Sequence, residues 1–395
     1  MIANEALRPF LDRLQRLSLG VGVGGLVLSL LGAWINPRQF YQSYLVAYLF
    51  WIGIALGCIG IVMLHHLVGG TWGFVIRRLL ESGATTLWLM ALLFVPFLFG
   101  MRELYLWARP DIVSHDEVLA QKSIYLNVNF FLVRTGAYFA VWMALSFFLT
   151  RWSRQQDRTG DPRLVLRLQR LSAAGLVVLF LTASFAAIDW VMSLEPDWYS
   201  TIYGAMVVTG QALATLAFAT AAAAWLSHYE PLAQIASPAR FQDLGNLLLA
   251  FVMLWAYMSF SQFLIVWCGN LTEEIPWYLR RTRGGWQWLG LALIVFQFFL
   301  PFLVLLLRDI KRQGRALLVV AGLILAMHFL ATFWLVAPAP VFQRPRIGFH
   351  WIDIVTPVGI GGVWLAAFLW QLKNNSLVPL RDPRLLEALE KAKGA

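Results

Sequence analysis

The sequence predicts an all-α integral membrane protein of ten transmembrane helices, and three observations carry that prediction. The first is composition. Of 395 residues, 59% are hydrophobic and only 13% are Asp, Glu, Lys or Arg, where soluble domains run near 45–50% and about 25%. A water-soluble core of this size cannot hide 28 Phe and 19 Trp and still cover its surface with polar groups. The second is a series of ten apolar stretches, each about 18 residues or longer. The third is the placement of the basic residues, which gather on alternate connections.

The apolar stretches are residues 17–34, 44–68, 84–101, 123–150, 171–193, 200–226, 242–268, 287–308, 315–337 and 350–372. No period-two alternation runs through them, which disfavours an outer-membrane barrel. Residues 1–16 carry Arg8, Asp12, Arg13 and Arg16 and read as a cytoplasmic amphipathic lead-in rather than a cleavable signal. Residues 69–83 (GGTWGFVIRRLLESG) are too polar to span and are expected to form a short helix lying on the cytoplasmic membrane surface. Residues 373–395 form a basic tail, and no soluble domain interrupts the single polytopic unit of 1–395.

If both termini share one side, that side collects 21 of the 31 basic residues and the opposite side nine, with Arg134 inside a span. That asymmetry predicts cytoplasmic termini. It also accounts for the net charge of +10 without invoking nucleic acid. The two cysteines, Cys58 and Cys268, lie in apolar stretches and form neither a CxxC pair nor a haem-attachment motif. The histidines differ in depth, so a haem held by this chain is not expected.

Ionisable groups inside a bilayer are costly and direct attention to function. Arg134, Asp189, His350 and Asp353 are expected in the outer half of the membrane, near Glu195 and Asp197, with His328 near mid-depth. Arg134 with Asp189 reads either as a structural ion pair or as part of a polar pocket. His328 is either a proton relay or a satisfied buried imidazole. Tyr257, Ser259, Ser261 and Gln262, with Thr209 and Gln211, line a hydrated path or glue helices together. His65 and His66 are adjacent on a helix, so at most one is expected to face the interior. The outer loops carry Glu273, Glu274, Arg280, Arg281 and Arg283, a paired-charge surface suited to docking a peripheral protein. Pro96 and Pro301, in the third and eighth spans, give a weak positional echo of the interrupted helices of transporters.

Three strings are more specific: GGTWGFVIRRLLESG (69–83), IDWVMSLEPDWYSTIYG (188–204) and WAYMSFSQFLIVWCGNLTEEIPWYLRRTRGGW (255–286). With ten spans, they resemble the polysulfide-reductase-like (NrfD-type) membrane subunits, and more narrowly the smaller, second such subunit of alternative complex III, a quinol:electron-acceptor oxidoreductase. The family often has a histidine where this chain has Asp197. The resemblance implies two four-helix bundles, spans 2–5 and 6–9, flanked by spans 1 and 10. It also implies partners: an iron–sulfur subunit, c-type cytochrome subunits and a paralogous ten-span subunit. Haem c and the iron–sulfur clusters would reside in those partners, while quinone or quinol is a candidate ligand here.

On this reading Arg134, Asp189, Glu195, Tyr257, Gln262, His328, His350 and Asp353 would serve a proton pathway or a quinone pocket. The competing readings are a quinone-binding subunit in its own right, a purely structural anchor, and a secondary transporter.

Overall fold

The computed structural model describes residues 7–230, 232–379, 382 and 385. Residues 1–6 of the expected lead-in and most of the tail lie outside the described residues. In chain order the principal helices are α1 (Arg8–Ile35), α2 (Pro37–Val68), α3 (Trp72–Ala84), α4 (Leu87–Leu92), α5 (Val95–Leu104) and α6 (Val128–Thr159). They continue as α7 (Arg163–Trp190), α8 (Tyr203–Leu226), α9 (Pro238–Gly269), α10 (Trp286–Leu306), α11 (Gly314–Val336) and α12 (Ile352–Lys373). No strand occurs among the described residues. Nine of these helices are long and apolar enough to cross a membrane, and α3–α4 with α5 makes one further, broken candidate bent by 61°.

The break has a chemical cause. Pro96, in the first turn of α5, has no N–H to continue the ladder from α4. Phe94 N and Phe97 N bond three residues back, to Ala91 O and Phe94 O. The carbonyls of Met90 and Leu93 are thereby released, and hydroxyls from α2 take them: Tyr48 Oη donates to Met90 O (2.9 Å) and Tyr44 Oη to Leu93 O (2.7 Å). A second irregularity lies in α10, where Ile294–Phe299 winds as a π-helix just ahead of Pro301.

Helix α2 is buried along most of its length and packs against α3, α7, α8, α11 and α12. Helix α6 lies on α7, while α8 contacts α7, α9 and α11, and α10 packs on α9 and α11. Helix α1 stands at the periphery, held chiefly by α12. Their seam is built from small residues. A Cβ on Gly22 would lie 2.4 Å from Val363 N, and one on Gly25 would lie 2.7 Å from Gly359 Cα. Ser29 and Thr356 share a hydrogen bond of 2.9 Å across the same seam.

The segment expected as a short helix on the cytoplasmic membrane surface is helical, and it is packed inside the fold. Gly69 and Gly70 adopt φ of +72° and +92°, turning the chain so that α3 packs back against α2. All thirteen residues of α3 are buried, including Arg77, Arg78 and Glu81. The same turn encloses both His65 and His66, beside Trp72 and Phe74, which corrects the expectation that at most one faces inward. Adjacent residues on a helix can both be buried when a second helix covers its end. The charges of α3 are answered internally. Arg77 meets Glu81 (2.9 Å), Asp382 (2.7 Å) and Ser153 (2.8 Å), and Arg78 pairs with Glu81 and Asp157.

Candidate functional site

The structure sorts the expected site residues into three separate carboxylates, each with its own arginine, and a group of uncharged polar side chains. The carboxylates lie at one end of the helix array, the end carrying the long connections. Asp189, in the last turn of α7, is 0% exposed. Arg134 of α6 holds it bidentately, Nε to Oδ2 at 2.8 Å and Nη2 to Oδ1 at 3.0 Å. Tyr138, one turn along from Arg134, donates its hydroxyl to Oδ2 at 2.8 Å. Arg134 Nη1 donates to Tyr125 O, and the guanidinium is sandwiched between the Tyr125 and Phe130 rings, 3.9 and 4.4 Å from their centroids. Three donors engage the carboxylate, and ring faces cover the cation.

Glu195 follows α7 in the next connection. It pairs with Arg281 (2.8 Å) and with Arg280. Arg281, expected on a docking surface, is 1% exposed. It also donates to Trp277 O, Trp334 O and Leu335 O and sits 3.7 Å over the Trp277 ring. Burial lowers its pKa from the usual arginine value, with Glu195 acting in the opposite sense. This one guanidinium therefore ties the α7–α8 and α9–α10 connections to the last turn of α11. Of the other expected docking charges, Glu273 and Arg283 are exposed and Glu274 and Arg280 half-buried. Trp198 stacks on Trp277 at 4.8 Å as a wall residue, whereas Asp197 and Tyr199 are exposed.

Asp353 opens α12. Its Oδ1 accepts from Gln39 Nε2 (2.8 Å) and Ser43 Oγ (2.6 Å), and its Oδ2 from Arg344 Nη2 (3.0 Å) and His350 N (2.9 Å). His350 thus reaches the carboxylate through its backbone, and its half-buried ring stands aside. No described contact joins this site to Asp189.

The uncharged group lies on α8–α11. His328 of α11 is 8% exposed, with its ring 6.1 Å from Phe50 and against Gly210. Its Nδ1 has no protein partner among the described residues. Gln262 is buried; its Oε1 accepts from Ser200 Oγ at 2.5 Å while its Nε2 is unpartnered. Tyr257, expected to line the same route, is 63% exposed and faces outward. Its position on α9 sets it off the face that carries Gln262. Thr209 bonds back to Ala205 O of its own helix.

Sequence reasoning missed Gln297, which is 0% exposed within the π-helical stretch and has neither amide atom bonded among the described residues. Its signal was an amide in an otherwise apolar stretch four residues before Pro301. Tyr138, at i+4 from Arg134, and Arg344, in the loop before Asp353, were also legible by spacing. Among the described residues no three His, Cys, Asp or Glu side chains gather closely enough to share a metal ion.

No model of a known protein family matches the chain, and no curated protein matches it.

Proposed function

We propose that this chain is a ten-span subunit of a bacterial inner membrane, with both termini cytoplasmic, in a quinol-oxidising electron-transfer complex of the alternative complex III kind. The three strings at 69–83, 188–204 and 255–286 support that assignment, as does the asymmetry of basic residues. Counting the bent α3–α5 pair as one span gives ten, in line with two four-helix bundles flanked by α1 and α12. In this role the clamped outer connections anchor the iron–sulfur and c-type cytochrome subunits, and α8–α11 provide a polar route for protons beside the quinol chemistry of the complex.

One observation carries the proton role. His328, Gln297 and Gln262 each keep a buried polar atom unpartnered among the described residues. Such groups are costly unless something bonds to them. Asp189, by contrast, is closed on all sides.

The test begins with purification from native membranes at natural abundance. The reading expects c-type haem absorbance and an iron–sulfur EPR signal to co-purify; a lone, colourless polypeptide would overturn it. In reconstituted vesicles, H328L and Q297L are expected to lower protons moved per electron while electron flux continues. Unchanged stoichiometry at normal turnover removes the proton route. The arginine closure of Asp189, Glu195 and Asp353 favours a second reading, a structural anchor, in which variants of these residues disturb assembly and leave stoichiometry alone.

A further inference from the structure

Because α1 is held chiefly by α12, a trough remains between this pair and the rest of the molecule. It comprises two cavities of about 660 and 360 Å³ that share Ser18 of α1 and Leu365 of α12. We propose that the trough binds an anionic phospholipid, with its acyl chains along the trough and its phosphate at the end near Arg8 and Arg315. This inference needs only a membrane setting and stands apart from the electron-transfer reading.

The walls set the chemistry of the occupant. They are apolar except for Ser18 and Asp353. Both oxygens of Asp353 are already engaged by four donors, so that end offers nothing to the polar head of a quinol. The opposite end is basic. Arg8 stands one turn before Leu11 on α1, and Arg315 one turn before Leu318 on α11; both leucines line the smaller cavity and both arginines are exposed. Lys373 follows the lining residue Leu372 and is joined to Asp12 at 2.7 Å. Phe10, Trp225 and Tyr229 cluster at this mouth, with ring centroids 5.4 and 5.9 Å from Phe10, the chemistry of a headgroup-level aromatic belt. Basic pockets between membrane helices suit phosphate headgroups.

From Asp353 to Leu372 the trough follows α12 for about 28 Å, near the ~30 Å of a hydrocarbon core, a length that suits acyl chains.

The experiment places the purified complex in nanodiscs of equal phosphatidylglycerol and phosphatidylethanolamine, delipidates it in detergent, and counts retained lipid by native mass spectrometry. Retention of phosphatidylglycerol in preference to phosphatidylethanolamine is expected. Replacing Arg8→Gln and Arg315→Gln together is expected to weaken retention roughly thirtyfold, at about fivefold per arginine. Ala222→Trp, which fills the smaller cavity, is expected to remove the lipid with both arginines intact. Equal retention of the two lipids, a retained quinone in place of phospholipid, or full retention in either variant overturns the proposal. The lipid preference of the unaltered protein decides the matter even where a variant fails to fold.

Discussion

Replacing Asp189 by Asn tests whether the closed pair on α6 and α7 is architecture or a proton carrier. The substitution keeps shape and one acceptor oxygen, but strips the negative charge from a site where Arg134 donates twice and Tyr138 once. Removing one partner of a buried pair costs about 3–5 kcal/mol, because the remaining charge is left uncompensated. The Tyr125 carbonyl and the two flanking rings still support the cation, so the lower end, about 3 kcal/mol, is expected. A triple variant, Arg134→Met with Asp189→Leu and Tyr138→Phe, removes every member of the site together and is expected to regain most of that loss. Reversible unfolding in mixed micelles of dodecyl sulfate and dodecyl maltoside, followed by circular dichroism, measures both. If the Asn variant lies within about 0.5 kcal/mol of the unaltered protein, or the triple variant is no better than the single, the pair does not bear stability as argued here.

Three further outcomes follow from the geometry. Gly25→Leu and Gly362→Leu force apart the α1–α12 seam, where backbone atoms would sit 2.7 Å or less from an added Cβ, and should abolish a disulfide cross-link engineered between Ser29 and Thr356 positions. Tyr48→Phe leaves Met90 O without its donor at the helix break and is expected to cost about 1–3 kcal/mol in the same unfolding assay. Glu81→Gln removes a carboxylate shared by Arg77 and Arg78, leaving Arg77 with Asp382 and Arg78 with Asp157, whereas Asp382→Asn touches Arg77 alone; the former should therefore destabilise more, both staying below the ~3–5 kcal/mol of a fully uncompensated buried charge in the same unfolding assay.

Helix count and approximate position were legible because lipid-length apolar runs leave a strong signal, and nine of the ten expected spans correspond to single long helices. The third was legible only in part. Hydropathy placed it at 84–101, while the helix begins at Trp72, because the charges of α3 are cancelled by Glu81, Asp157 and Asp382 rather than by water. A hydropathy scan counts charges and cannot count their partners, of which Asp157 lies 79 residues from Arg78 and Asp382 lies 305 residues from Arg77. The interruptions at Pro96 and Pro301 were readable as positions but not as geometry: one produces a sharp bend, the other a π-helical turn. At the site, Arg134 and Asp189 lie on the adjacent helices α6 and α7 and form the ion pair that was one of the two readings of the sequence. That Arg281 would turn inward while Arg283 faces out was not readable, since a short loop helix has no apolar period to orient it.

The pattern of pairing changes where ionisable chemistry is to be sought in such a protein. Burial marks Asp189, Glu195 and Asp353 as costly, and cost alone suggested function. Each cost is met locally by an arginine and additional donors, so burial of these carboxylates is explained without a visiting proton. The unexplained cost lies with neutral groups. An amide such as Gln297, wholly buried with no bond to either atom among the described residues, forfeits more than a paired carboxylate does, and it sits where the helix itself departs from regular winding. On the proposed function, a proton path supplies the partner that these amide atoms lack among the described residues. The contrast between D189N and Q297L is therefore the sharper one: the first should move stability and spare coupling, and the second should move coupling and spare stability.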